Sequence, residues 1–376
     1  MKCFYCFKRF EPESLMLRCG NTMCRNVDDP VHQEFLGSTI RYMNKIIFNQ
    51  QKGLKYKGSC PECSKPATTL VCPHCHNEIP KEMINANITV VSLIGVSGVG
   101  KTHYVTMLLK KSLNNLARFG VATRRLGEQT FRRMDENYDK YLASETPLAI
   151  PRTVTAMANT QVKYPWIFVL DRRIKSFLFD TLVSNYLVIY DAAGEDFLSA
   201  DLIGTNVASI AESDGWIFLL DPLQFPKLRH KIPECYKPDS MSDQKAAIER
   251  AYGFVREKTN TSLVEKPIAI TMTKIDVLET CLNDVQHSVF ENRPYKNPTD
   301  LEGIERDDGI IRGLISDNME DEFSNWVDAY FKNGMFFGIS ALGSSPEGGR
   351  LVNGLKPLRL EDPILWLFAT LKKWKF

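Results

Sequence analysis

The chain has 376 residues, with 47 Lys+Arg against 45 Asp+Glu, a hydrophobic fraction of 44% and a charged fraction of 24%. That composition excludes a disordered or collagen-like chain, and a net charge of +2 excludes a generally basic nucleic-acid binder. The length suits one large domain plus a smaller one.

The first element is a cysteine cluster. Eight of the ten cysteines fall between Cys3 and Cys75, as the pairs Cys3/Cys6, Cys19/Cys24, Cys60/Cys63 and Cys72/Cys75. The N-terminus, MKCFYCFKRF, carries Lys and Cys where a signal peptide needs an apolar run. No apolar stretch reaches the roughly 20 residues that cross a bilayer. A cytoplasmic location follows, and there such thiols read as zinc ligands rather than disulfides. Two thiolates on a tight turn bind one side of a metal, and two such turns complete a tetrahedron. The stretch CPECSKPATTLVCPHC, residues 60–75, reads as a zinc ribbon, and Cys3, Cys6, Cys19 and Cys24 as a second four-thiolate site. Pairs alternating between two metals are the other arrangement. His32, His74 and His76 could each replace a sulfur, but His74 and His76 sit within and just after a knuckle that already has its thiols and are left out as ligands. With few aliphatics, this module of residues 1–82 needs metal in place of a large core.

Between the pairs, residues 41–57 hold Arg41, Lys45, Lys52, Lys55 and Lys57 with interleaved aromatics and no acid. Such a stretch could contact nucleic acid. Residues 1–87 carry 12 Lys+Arg and 8 Asp+Glu, an excess that two four-thiolate zinc sites would cancel. A solvated face is the plainer alternative. Residues 83–87 read as a linker.

At Ile88 the composition shifts to ITVVSLIGV, a run suited to a strand buried on both faces. Similar runs recur at 186–190, 216–220, 268–272 and 335–339. Helical patterns fall at 103–119, 129–142, 243–258, 317–331 and 363–373. Strands alternating with helices predict an α/β domain over residues 88–376 with a largely parallel sheet. Insertions are expected near 119–163 and 280–315.

The first strand runs into Gly95-Val96-Ser97-Gly98-Val99-Gly100-Lys101-Thr102, which fits the phosphate-binding loop GxxxxGK[ST]. Its glycines let the backbone curl so that N–H groups face a phosphate, and the following helix adds its dipole. Lys101 is expected on the phosphates and the Thr102 hydroxyl on Mg²⁺. Ser97 and His103 are expected to contribute backbone contacts. The run at 186–190 leads to Asp191-Ala192-Ala193-Gly194, a DxxG pattern. There Asp191 would support Mg²⁺ and Gly194 would approach the terminal phosphate. The run at 268–272 ends in Thr273-Lys274-Ile275-Asp276, matching [NT]KxD. The Asp276 carboxylate can accept two hydrogen bonds from a guanine edge. Ser340-Ala341-Leu342 would contact the base through backbone.

In this order the four motifs resemble P-loop GTPases of the translation-factor/Ras-like class, over roughly residues 88–376. With the zinc module, the chain is similar to the prokaryotic double-GTPase group of conflict and signalling systems. The resemblance implies a Ras-like G domain binding GTP or GDP with Mg²⁺, switch loops, and hydrolysis of GTP to GDP and phosphate as a partner-regulated molecular switch. Glu195 stands where many relatives carry the water-orienting Gln. Thr153 or Thr155, favouring Thr153, would close over Mg²⁺, and Arg152 could act as an internal arginine finger. Two alternatives accompany this reading: a GTP-binding scaffold with little hydrolysis, and an RNA- or ribosome-associated GTPase using its zinc module for contact. A protein effector or regulator is expected. Cys235 and Cys281 read as plain thiols.

Overall fold

The computed structural model describes residues 1–50, 55–144, 147–148, 150, 164–174, 180–191, 205–228, 231, 242–281, 286–291, 301–319 and 322–373. The chain divides into two compact units. One holds residues 1–88 with 163–165, the other 89–162 with 166–376.

The first unit is built from short strands. β1 (Met16–Arg18) lies between β4 (Ile47–Asn49) and β7 (Thr69–Val71), antiparallel to both. β2 (Asn26–Asp28) pairs with β3 (Met43–Lys45), and β5 (Gly58–Ser59) with β6 (Pro66–Ala67). The helix α1 (Pro30–Leu36) starts on Pro30, which suits a first helical position. Its cap is Asp29, whose carboxylate accepts the His32 N–H at 2.9 Å, and it ends on Gly37 in the left-handed region. Leu17 and Leu70 face each other fully buried across the β1–β7 ladder. Burying each such leucine contributes about 1.5–3 kcal/mol.

The second unit carries a seven-stranded sheet in the order β14-β13-β12-β8-β11-β10-β9. The strands are β8 (Asn87–Ile94), β9 (Val121–Leu126), β10 (Trp166–Ile174), β11 (Thr181–Asp191), β12 (Gly215–Leu220), β13 (Ile268–Met272) and β14 (Gly334–Gly338). The β8–β12–β13–β14 half is parallel, while β10 runs antiparallel to both of its neighbours, β9 and β11. The expectation of a largely parallel sheet is therefore corrected to a mixed one. Nine consecutive residue pairs, Trp166↔Ile189 to Ile174↔Thr181, lock the β10–β11 ribbon. β9 and β10 were not foreseen, because paired arginines interrupt both. The other helices are α2 (Lys101–Met107), α3 (Glu128–Met134), α4 (Thr205–Glu212), α5 (Gln244–Thr259), α6 (Glu302–Asn318), α7 (Glu322–Tyr330) and α8 (Asp362–Thr370). α6 lies within and beyond the stretch expected as a polar insertion, yet it buries Ile304, Ile311, Leu314 and Ile315 and packs on β14. Among the described residues, no helix is long and apolar enough to cross a membrane.

The parallel half is buried throughout: β12 and β13 expose no residue on either face. Chain reversals at the ends of β8, β12, β13 and β14 lie on one side of that half, as parallel pairing requires, and they carry the second unit's candidate site.

Candidate metal centres and ligand cleft

Three of the four cysteine pairs share one turn. The N–H of the first Cys donates to the carbonyl five residues on, in Cys3 to Lys8, Cys60 to Lys65 and Cys72 to Asn77. The residue after the second Cys takes a positive φ: 60° at Phe7, 56° at Ser64 and 55° at His76. This curl points both sulfurs to one side. Backbone N–H groups of Tyr5 and His74 also point at the Cys3 and Cys72 sulfurs, at 3.3 and 3.4 Å. Cys19/Cys24 departs from the pattern. Its wider spacing is closed by the Cys24 N–H on Asn21 and anchored by the Cys19 N–H on Ile46.

The sulfurs meet in two groups: Cys3, Cys6, Cys72 and Cys75, and Cys19, Cys24, Cys60 and Cys63, each within 4.8 Å of one another. Individual separations are 3.8 Å for Cys3–Cys75, 3.9 Å for Cys6–Cys72, 3.6 Å for Cys19–Cys63 and 4.0 Å for Cys24–Cys60. A tetrahedral zinc with Zn–S near 2.3 Å needs its sulfurs about 3.8 Å apart. The donor sets therefore fit two zinc ions. Burial pushes the Cys3 thiol up, while the Asn21 side chain holds Cys63 down at about 6.

The pairing is nested: first pair with fourth, second with third. The expectation of a self-contained ribbon over residues 60–75 is corrected, and the alternating arrangement does not occur either. The cause is the antiparallel β1–β7 register. Met16↔Val71 brings the fourth pair beside the first, and Arg18↔Thr69 brings the third pair beside the second. Beside the first centre, His76 Nδ1 lies 2.7 Å from Asp29, and His32 bridges the Cys75 carbonyl and the Tyr164 hydroxyl at 2.9 and 3.1 Å. These histidines brace the fold and do not enter the sulfur groups.

Two of the five cations of the basic stretch are engaged within the unit, while Lys55 and Lys57 are exposed. Arg41 grips Asp28, and Lys45 binds the carbonyls of Thr22 and Cys24. Lys52 lies outside the described residues.

The second unit holds a cleft of about 360 Å³. It gathers Gly98, Val99, Gly100 and His103 from the glycine loop, Thr273, Lys274 and Asp276 from the end of β13, and Ser340, Ala341 and Leu342 from beyond β14. Three stretches spread over more than 240 positions thus share one cavity. Gly98 and Gly100 take φ of 75° and 97°, which let the loop curl. Gly95, Ser97, Lys101 and Thr102 belong to the same loop and helix start but do not line the cavity. Lys101 Nζ lies 2.6 Å from the Gly95 carbonyl and 3.1 Å from that of Val96. Asp276 Oδ1 accepts the Ser340 hydroxyl at 2.5 Å, and burial pushes its carboxyl up. His103 Nε2 accepts the Ile150 N–H at 3.0 Å, and burial, aided by the Lys274 charge, holds its ring at about 4.

Asp191 ends β11, the sheet neighbour of β8, and its Oδ1 is buried with no hydrogen-bond partner among the described residues. Gly194, Glu195, Arg152, Thr153, Thr155 and Cys235 lie outside the described residues. Sequence reasoning missed Tyr104, Leu223, Ile339 and Ser344 to Pro346 in the cleft wall. Each of these adjoins a segment that was recognised.

No family model matches the chain. A Mycolicibacterium smegmatis protein bearing the name "Putative ESX-1 scaffolding and assembly protein SaeC" is 24% identical over 395 aligned residues, covering 97% of this chain and 98% of that protein. This finding overturns the expectation of a GTP-hydrolysing P-loop GTPase of the translation-factor/Ras-like class or the double-GTPase group. It overturns the switch reading as well, and it lends no support to either alternative, the GTP-binding scaffold or the RNA-associated GTPase. The physical reason is consistent with it. Among the described residues, side chains in and beside the cleft are engaged with the protein itself: Asp276 with Ser340, His103 with Ile150, Lys101 with its own loop. The comparisons lend no support to a guanine nucleotide, Mg²⁺ or nucleic acid. The two four-cysteine groups, able to hold zinc, stand.

Proposed function

We propose that this chain is a scaffolding and assembly protein that works by holding protein partners together rather than by catalysing a reaction. The observation that carries this is a similarity of 24% identity that runs over nearly the whole length of both chains, to a relative named for ESX-1 scaffolding and assembly. Two features support it. The first unit carries two four-cysteine groups able to hold zinc, and metal cross-links of that kind suit a rigid docking module more than a reaction centre. It also leaves Met23, Ile40 and Met43 exposed, at 89%, 78% and 47%. Apolar side chains placed in water by a small module suit contact with another protein. We place its action in the cytoplasm, on the reduced state its thiols need, and take residues 1–82 and 88–376 as its two domains. In-cell cross-linking of the full chain, followed by mass spectrometry, tests the reading. Reproducible cross-links to components of one multi-protein assembly are expected, and cross-links to metabolic enzymes alone would refute it.

For the cleft we propose a nucleotide as a bound ligand, with no turnover. The glycine loop would hold the phosphates through Gly98, Val99, Gly100 and Lys101. Asp276, with Thr273, Lys274 and Ser340 to Leu342, would face a guanine base. Thr102 and Asp191 would hold Mg²⁺. The buried, unpartnered Asp191 Oδ1 supports the last assignment, since a carboxylate oxygen in such a place calls for a cation or donor. Equilibrium dialysis with labelled GDP and ADP tests it: GDP retained in preference to ADP is expected, and no retention of either would refute it.

A further inference from the structure

Lys274 follows β13 by two residues and stands at φ 52°, in the left-handed region that a residue with a side chain enters at a cost of about 1 kcal/mol or more. Two bonds hold its ammonium there, one to the Gly98 carbonyl at 3.0 Å and one to Asp221 Oδ2 at 2.6 Å. Asp221 sits immediately after β12 and is 1% exposed. Its Oδ1 accepts the Leu223 N–H at 3.1 Å. Its own N–H donates to Gln244 Oε1 at 2.7 Å, and Gln244 Nε2 returns to the Asp221 carbonyl at 3.2 Å. A buried carboxylate is costly unless it is paired and hydrogen-bonded. This network supplies both, so it fixes Asp221 and, through it, Lys274. Beside them, Thr273 Oγ1 lies 3.0 Å from the carbonyls of both Val99 and Leu220.

Two successive carbonyls of the glycine loop, Gly98 and Val99, are therefore fastened to the end of β13. Because the peptide unit is planar, fastening a carbonyl also sets the direction of the N–H on the same plane. Of the two N–H groups so directed, that of Val99 turns to the Val96 carbonyl at 3.4 Å, and that of Gly100 is the one an anion would meet.

The geometry points to Asp221 as a positioning residue for the glycine loop, acting through Lys274 to set the loop backbone before any ligand arrives. Its effect on binding rests on the nucleotide reading of the cleft. Its effect on the loop does not.

Asp221→Asn tests this, because asparagine keeps an acceptor for the Leu223 N–H and puts an amide NH₂, which cannot accept, in place of the charged oxygen that holds Lys274. In the ligand-free full chain, hydrogen exchange in a peptide covering residues 95–100 rises about tenfold, the size expected for losing a charge-assisted hydrogen bond. Affinity for methylanthraniloyl-GDP falls by about the same factor. In a Lys274→Met background, Asp221→Asn changes neither further. Unchanged exchange in Asp221→Asn, or the same loss persisting in the Lys274→Met background, would overturn the proposal. If the wild-type chain binds neither labelled GDP nor labelled ADP, the nucleotide reading fails, and exchange alone decides the role of Asp221. If Asp221→Asn does not fold, Lys274→Met alone must speed exchange over residues 95–100, and its failure to do so overturns the proposal.

Discussion

Cys75 Sγ lies 3.8 Å from Cys3 Sγ although 72 positions separate them. The contact closes the first unit from its beginning to its end, and it exists because β1 runs antiparallel to β7. It also means that neither half of the cysteine cluster can be cut out as a free-standing ribbon.

The nested pairing makes double substitutions diagnostic. The full chain releases about two zinc ions. Cys3→Ser with Cys72→Ser touches a single centre, so that variant keeps about one ion. Cys3→Ser with Cys60→Ser touches both and keeps none. Colorimetric zinc release after denaturation reads the counts. Sequential pairing would instead leave the first variant with none, and alternating pairing would leave the second with one.

Removing zinc unfolds the first unit and spares the second. The first unit buries Leu17, Leu70 and other apolar side chains such as Phe4 and Ile79, but structural zinc contributes on the order of 10 kcal/mol to folding modules of this size. With a strong chelator, hydrogen exchange over residues 1–82 rises to the unfolded rate, while β12 and β13 stay protected. Retained protection in β1 and β7 would contradict this.

The cleft wall depends on Gly343. Its φ of 81° suits glycine, and a Cβ there would collide with the Lys356 carbonyl. Its N–H holds the Ser340 hydroxyl at 2.8 Å, the same hydroxyl that donates to Asp276. Gly343→Ala is expected to cost about 3 kcal/mol. Calorimetry then shows the second unit melting several degrees lower, at roughly 2–4 °C per kcal/mol.

His103 makes the second unit acid-sensitive. Its folded pKa of about 4 lies below the ordinary 6.5, so the unfolded chain binds the extra proton first as pH falls. The stability linked to the neutral ring is complete above pH 6.5 and is lost between 6.5 and 4, amounting to at most about 3 kcal/mol. Urea midpoints of wild type and His103→Asn, compared at pH 7.5 and pH 4.5, should converge at the lower pH. Parallel curves would show that the ring carries no such linkage.

Much of the second unit was legible because its signals are local. The runs at 88–96, 216–220 and 268–272 are apolar and β-branched, and β8, β12 and β13 fall there. The glycine loop, Thr273 to Asp276 and Ser340 to Leu342 each end such a run, and the parallel half brings them to one cleft. What stayed hidden depends on partners far away in sequence. No spacing rule pairs Cys19 with Cys63, since a ladder between β1 and β7 decides it. β9 carries Arg124 and Arg125, which masked a strand paired with β10. Asp221 belongs to no motif, and only the fold brings Lys274 to it. The enzymatic reading failed because motif order describes a cleft and does not say whether anything is consumed in it.

The claim that this chain is an assembly scaffold is tested most directly by removing it from its source cell. The sizes of the multi-protein complexes to which it cross-links would then be measured by native gel filtration. The account predicts that the partner proteins are still made but run as smaller species. It also predicts that full size returns with the wild-type chain and not with the zinc-free Cys3→Ser/Cys60→Ser variant. Partner complexes of unchanged size in cells lacking the chain would contradict it.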